Sequence, residues 1–458
     1  MKHFSKYLLA CGAAILLPGL AHAQFQNEAL VEALVKKGVL TYQEAEDIKK
    51  ETFDEYKSTG GGKLDINKGV SKLRLYGDFR GRYEWQETTA ANSSSNTTPA
   101  NNWRARIRVR VGADYDLKEG MKAGVRIATG DRGGTDADQR STNWTLGNGF
   151  GSANIYLDKA FASIDFVKYF KGEDLWLDKI EFGGGIVDNP LVKSNLTWDS
   201  DINPNGAYAT FNKKWEYDGA ELTPFFTSGL FLLQDNLGAP FVAPNGENND
   251  AWFTTYQLGL KTKLDNKDTF TIALTQYYWL NQSRNGDLTN IRATGINQGQ
   301  ADTIQANGRF VSGGQNTFNN TRSLNYLTGY ADYRFHNLPW DDKLPLTLWT
   351  EHVYNWAAGK ANYAVQAGAM FGELKKKGDY EVGAYWNFIE RNSVFDAFTD
   401  SDFSNGSVNR QGYVVKAGYA FTDFATLNFT WFDVTNVSGQ MATGTETGRA
   451  QLDINVKF

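Results

Sequence analysis

The chain has 458 residues, 41% hydrophobic and 14% aromatic, with 47 basic against 52 acidic side chains and a formal charge of −5. That balance argues against nucleic acid as a general partner, and the single cysteine, Cys11, excludes a disulfide framework. Past the first residues no apolar run is long enough for a spanning helix, so any membrane crossing falls to strands.

Lys2 and Lys6, the run "YLLACGAAILLPGL" and "AHA" at 21–23 read as a secretory signal peptide over 1–23, cut after Ala23. Lipidation at Cys11 is the rival, but few apolar residues precede it and the apolar run continues beyond it. Residues 24–63 read as a helical segment and linker. Leu30, Leu34 and Val35 recur at helical spacing, Gly38 can stop that helix, and "TYQE" at 41–44 forms a capping box for a second helix through Ile48. "STGGGK" at 58–63 reads as a flexible link. A small periplasmic helical hairpin is the simpler reading; a partial plug or a coiled coil holding a homotrimer is the alternative.

From 64 to 458 the period changes to two. In "WRARIRVRVGADYDL", 103–117, Trp103, Ile107, Val109, Val111, Tyr115 and Leu117 share one parity, while Arg104, Arg106, Arg108, Arg110, Asp114 and Asp116 share the other. In "SKLRLYGDFRGRYEW", Arg74, Asp78, Arg80, Arg82 and Glu84 oppose Leu73, Leu75, Phe79, Tyr83 and Trp85. About sixteen such strands are expected, at 70–86, 102–117, 119–130, 152–169, 174–187, 205–212, 216–234, 250–264, 268–282, 322–336, 343–357, 362–374, 378–391, 410–421, 424–436 and 446–458. Connections after even-numbered strands are mostly short; those after odd-numbered strands are mostly long, including 131–151, 188–204, 283–321 and 392–409.

An even strand number with short turns on one rim and long loops on the other is the pattern of an outer-membrane barrel with both ends facing the periplasm. Closure follows because lipid cannot satisfy an open sheet edge. From Trp103 to Tyr115 the strand runs roughly 40 Å, and a tilt near 45° projects this to about 28 Å, close to the apolar thickness of a bilayer. The fold class is therefore all-β: a transmembrane antiparallel barrel after a short helical segment. The apolar parity would face lipid, with Trp103 and Tyr115 in the interfacial girdles, and the arginine parity a water-filled lumen. A soluble, half-exposed sheet is the alternative, but it seldom needs strands of this length.

"EFGGGIVDNP" and "WDSDINPNGA" within 181–207, the stretch "KKKGDYEVGAYWNFIERNSVFDAFTDSDFSNGSVNRQGYVVKAGYAF" at 375–421, and "LVEALVKKGVLTYQEAEDI" near the start resemble the putative porin family of Gram-negative outer membranes. The likeness spans nearly the whole chain after Ala23 and implies an outer-membrane channel without naming its solute. Terminal Phe458 resembles the aromatic residue that assembly machinery recognises in many such barrels.

The expected function is a porin for passive diffusion of small hydrophilic solutes and ions through a lumen lined by Arg74, Arg80, Arg82, Arg104, Arg106, Arg108 and Arg110, with outer-membrane lipid as its surroundings. The alternative is a non-conducting barrel acting as adhesin or envelope scaffold. By resemblance to general porins, Asp199 and Asp201 in the third outer connection would face the arginine wall; equally, they would bind solvent or divalent ions at the rim. Asp400 and Asp402 read as a solvated loop, since two carboxylates fall short of a Ca²⁺ site. No metal or cofactor is expected. An enzyme is not supported: His336 lies beside a short turn, His352 shares the lipid-facing parity, and neither has a placed Ser or Asp partner.

If Trp85 pairs with Trp103, then Glu84 meets Arg104, Arg82 meets Arg106, Arg80 meets Arg108 and Asp78 meets Arg110. The two like-charged pairs destabilise the sheet unless water or facing acids compensate. Arg80, Arg82, Arg106 and Arg108 are expected to favour anions locally.

Overall fold

A computed structural model describes residues 34–48, 69–89, 99–130, 140–147, 149–170, 175–234, 251–280, 324–336, 344–403, 408–437 and 445–458, with the short pieces 303–304, 310–311, 338 and 406. The chain divides into two units, 1–68 and 69–458. In the first, helical residues at 42–48 begin at the expected capping box. Backbone N–H of Thr41 donates to Glu44 Oε2 at 2.8 Å, and Glu44 N–H donates back to Thr41 Oγ1 at 3.3 Å. Gly38 sits at φ +69° after the preceding turn, where glycine pays no Cβ penalty. The expected leader at 1–23 and the link at 58–63 lie outside the described residues.

The second unit is a closed antiparallel barrel of sixteen long strands. They are β1 Val70–Thr89, β2 Pro99–Leu117, β3 Met121–Gly130, β4 Asn154–Asp165, β5 Lys179–Ile186, β6 Asn205–Asn212, β7 Ala220–Gln234, β8 Ala251–Lys263, β9 Thr269–Leu280, β10 Asn325–Phe335, β11 Leu346–Asn355, β12 Tyr363–Gly372, β13 Tyr380–Ile389, β14 Arg410–Ala420, β15 Ala425–Asn436 and β16 Thr445–Lys457. Each pairs with the next, and β16 closes onto β1 from Asp78↔Lys457 to Thr89↔Thr445. Every backbone edge is thereby consumed, as a strand structure in lipid requires. Beyond Lys457, Phe458 exchanges backbone hydrogen bonds with Gly77 at 2.8 and 3.0 Å.

The register of β1 on β2 is the expected one: Trp85↔Trp103, Glu84↔Arg104, Arg82↔Arg106, Arg80↔Arg108 and Asp78↔Arg110. Parity then sorts the side chains. Trp103 is 59% and Leu75 63% exposed on the outer face, while Glu84, across from Arg104, is fully buried within. Trp85 stacks on Trp431 at 5.7 Å and lies tilted against Trp103 at 6.0 Å between centroids, an outward aromatic cluster of the kind that lines bilayer interfaces.

Three expectations need correction. The strand expected over 152–169 ends at Asp165, whose carboxylate accepts from Val167 N–H and starts a helical turn over Phe166–Tyr169. A bulge between β3 and β4 skips one residue, so that neighbours Asp158 and Lys159 both point inward. Most consequential, the inward parity is not polar all round. Phe231, Phe253, Tyr277, Trp279, Tyr326 and Val353 of β7 to β11 form an apolar wall buried inside the barrel.

Candidate functional site

The lumen has two unlike halves, and two long connections lie between them. On the apolar half, Trp198 of the 187–204 connection and Phe395 and Phe398 of the 390–409 connection pack on the inward aromatics. Trp198 to Phe398 is 4.3 Å, Phe253 to Trp279 4.7 Å and Trp279 to Phe395 4.9 Å between ring centroids. Edge and offset contacts at these distances add to the area burial of each ring. The 187–204 connection is also clamped to that wall by hydrogen bonds. Gln257 of β8 accepts from Val192 N–H and donates to its carbonyl, at 2.9 and 2.8 Å. Buried Glu351 of β11 accepts from Ser194 N–H at 2.9 Å, from Ser194 Oγ, and from Thr197 Oγ1 at 3.0 Å.

The opposite half is the arginine wall. Arg82 donates from Nε and Nη2 to the two oxygens of Asp453 at 2.7 and 2.8 Å, and from Nη1 to Asp402 at 2.8 Å. Arg108 and Arg110 share Asp78 at 2.9 and 2.7 Å and both approach Asp201, at 3.6 and 3.4 Å. Arg104 pairs with Glu84, from which Arg106 stands at 3.8 Å while donating to Ser141 Oγ at 3.2 Å. Arg80 donates to Asn143 Oδ1 at 2.6 Å, and its Nε is buried without a hydrogen-bond partner. Arg74 stands apart: largely exposed, it pairs with Asp114 and lies over the Tyr76 ring.

The two loop aspartates do different things. Asp201 meets the guanidiniums and accepts from Thr142 Oγ1 at 3.0 Å. Burial alone would raise its carboxyl, but Arg108, Arg80 and Arg110 outweigh burial and hold it down to about 2. Asp199 instead accepts from Ser401 N–H at 2.8 Å and joins the two connections. Burial and then the neighbouring charges of Asp400 and Asp201 push it well above the usual carboxylate range. The reading of Asp400 and Asp402 as a solvated loop is overturned. Asp402 is an ion-pair partner of Arg82, and against burial Arg82 and Arg449 hold it well below the ordinary range. Asp400 is raised by burial and by the charge of Asp402.

A cavity of about 820 Å³ lies between these groups, lined by Arg80, Arg82, Arg108 and Arg110 on one side and by Asp199, Asp201, Asp400 and Asp402 on the other. A smaller one of about 270 Å³ lies on the far side of the 187–204 connection, against Lys179, Glu181, Tyr208 and Lys261. Of the residues expected to line the lumen, the larger cavity brings together Arg80, Arg82, Arg108, Arg110, Asp199 and Asp201, and leaves out Arg74, Arg104 and Arg106. Sequence reasoning placed Asp78 beside Arg110 but missed Asp402 and Asp453 as countercharges. It also missed the apolar wall, although apolar residues on both parities in "WFTTY" and "QYYWL" were its signal.

The two histidines sit away from the cavity. His352 faces outward and contacts the Tyr363 hydroxyl, and His336 N–H donates to Asp268 at 2.7 Å beside a short turn.

A family model described as putative porin matches residues 87–331 and 328–458. Among solved structures, the outer membrane channel DcaP of Acinetobacter baumannii is similar at 11% identity, covering 86% of this chain and 99% of that one, with a TM-score of 0.44. Pseudomonas putida OprB, in a high-pH structure, is similar at 13% identity over 84% of this chain and 94% of its own, with a TM-score of 0.48. Salmonella typhi OmpF, in complex with daunomycin, is similar at 12% identity over 86% and 99%, with a TM-score of 0.43. No curated protein sequence matches the chain.

Proposed function

Because this chain belongs to the putative porin family of outer-membrane channels, we propose that small hydrophilic solutes and ions diffuse passively through it along the arginine wall of β1 and β2. The observation that carries this reading is the approach of Asp201 to Arg108 and Arg110 beside the 820 Å³ cavity. Opposed charges flanking a narrow aqueous space keep it hydrated and act on each passing ion. The acids refine the expected anion preference. Arg82, Arg104, Arg108 and Arg110 are matched by carboxylates within 3 Å, so the excess of positive charge rests on Arg80 and Arg106.

The reading extends to placement. The short turns and both barrel ends face the periplasm, the helical segment at 24–63 lies there, and the exposed ring of Phe458 is offered to assembly machinery. A homotrimer is the assembly in which three such channels would sit side by side. The deciding experiment is single-channel recording of the purified protein in planar bilayers. Discrete, voltage-independent current steps are expected. A barrel that inserts and carries no current would be an envelope scaffold or adhesin instead.

A further inference from the structure

We propose that the 390–409 connection is a second constriction element of this channel, and that Arg140 and Gly406 are the positioning residues that hold it across the lumen. The inference rests on the channel reading above and adds to it a second loop that sets the passage.

Burial separates this connection from a loop that hangs in water. Val394, Phe395 and Phe403 are almost completely inaccessible, as are Ser393 and Asp396. Removing these rings from water favours the docked position, so the connection belongs to the barrel's interior. Phe395 and Phe398 seat it on the apolar wall through Trp279 and Trp198. Asp199 N–H donates to the Phe398 carbonyl at 2.5 Å and Ser401 N–H to Asp199 at 2.8 Å, which joins it edge-on to the 187–204 connection.

Its free edge crosses to the arginine wall. Asp402 reaches Arg82, and Arg449 Nη1 donates to the Asp402 carbonyl at 2.7 Å. Asp400, Ser401 and Asp402 consequently line the 820 Å³ cavity together with Arg80. The carboxylate side of the passage thus comes from two loops, with Asp201 on one and Asp402 on the other.

Arg140, on a third long connection, fixes the fold of this loop. It is 1% exposed, and its Nη1 donates to the carbonyls of Asp396 and Gly406, both at 3.0 Å, while Ser401 Oγ donates to the Arg140 carbonyl at 3.3 Å. One guanidinium ties residues ten positions apart in the same loop. Gly406 makes room for it: the backbone there is left-handed at φ +68°, and a Cβ would lie 1.5 Å from Arg140 Nη1. Any side chain at 406 expels the guanidinium.

The test uses the purified protein in planar bilayers. Arg140→Ala should raise single-channel conductance roughly two-fold as the loop leaves the passage and shift the zero-current potential; Arg140→Lys, which can still donate to both carbonyls, should recover most of the original value. Ser401→Cys should lose current on exposure to a cationic methanethiosulfonate, whereas Ser393→Cys, enclosed behind the aromatics, should not. Wild-type conductance and potential in a folded Arg140→Ala channel would overturn the proposal. An unreactive Ser401→Cys in an open channel would do so as well, and decides the matter if Arg140→Ala does not fold. A silent wild-type barrel would instead refute the channel reading itself.

Discussion

Arg82 and Asp453 form a two-pronged ion pair across the seam where the last strand meets the first, with Nε and Nη2 at 2.7 and 2.8 Å from the two carboxylate oxygens. Their partnership explains how the sheet tolerates Arg82 opposite Arg106. The countercharge comes from the neighbouring strand on the other side. Fork-shaped pairing of this kind fixes both groups as well as neutralising them.

Removing Asp453 should therefore weaken closure of the barrel. Breaking a buried pair by deleting one member costs about 3–5 kcal/mol, and Asp402, which stays on Arg82, puts this case at the lower end. Asp453→Ala should lower the temperature at which the compact band converts to the unfolded one in detergent gels. Asp433→Ala, an outward change on β15, serves as the control. Equal conversion temperatures for Asp453→Ala and wild type would contradict a structural role for the pair.

Selectivity should move in opposite directions for two substitutions at the same cavity. Arg80→Ala removes a cation that has no carboxylate at ion-pair distance and should shift the zero-current potential under a KCl gradient toward cation preference. Asp201→Asn leaves Arg108 and Arg110 with Asp78 alone and should shift it toward anions. Both shifts should shrink as salt is raised, because screening reaches about 3 Å at 1 M. Shifts of the same sign would mean that the wall does not set selectivity.

The clamp on the 187–204 connection gives a prediction about protease access. Glu351→Ala deprives Ser194 N–H, Ser194 Oγ and Thr197 Oγ1 of their acceptor, at a cost of about 1–3 kcal/mol per buried donor left unmatched. Trypsin should then cut after Lys193 faster than in the wild type, with the barrel still migrating as a compact species. Unchanged protection at Lys193 would show that the aromatic contacts alone hold the loop.

Proton uptake should be visible in the current. Asp199 and Asp400 are raised, by burial first and then by their acidic neighbours; Asp199 faces Asp400 and Asp201, Asp400 faces Asp402, Lys416 and Arg449, and Lys193 lies near both. Their protonated forms favour loop docking, and that contribution is lost as pH rises through their elevated values. Asp201 and Asp402 are depressed, so their contribution is present above the ordinary carboxylate range and is lost only as pH falls through their low values. Cation preference should accordingly grow as pH rises above the ordinary carboxylate range. Asp199→Asn should flatten that profile, and an identical profile in the variant would assign the titration elsewhere.

What the sequence determined is local. Arg104, Arg106, Arg108 and Arg110 alternating with Ile107, Val109 and Val111 dictate a strand with one charged face, since successive side chains must point to opposite sides. Matching Trp85 to Trp103 places the pairs of β1 on β2 from Lys72↔Asp116 to Thr89↔Pro99, because one pairing fixes the register until an irregularity at Val70 shifts it. The capping box at Thr41 and Glu44 is likewise local, joining residues three positions apart. The tertiary structure alone decided what each arginine would meet. Asp453 is 371 positions from Arg82 and Asp402 is 320. No periodicity relates them, and charge attracts any opposite charge without naming which. That choice waits on closure of β16 against β1 and on two loops folding inward. Their inward fold depends in turn on Phe253, Tyr277 and Trp279, whose parity placed them in the lumen but whose burial there needed Trp198, Phe395 and Phe398 to arrive from distant loops and exclude the water.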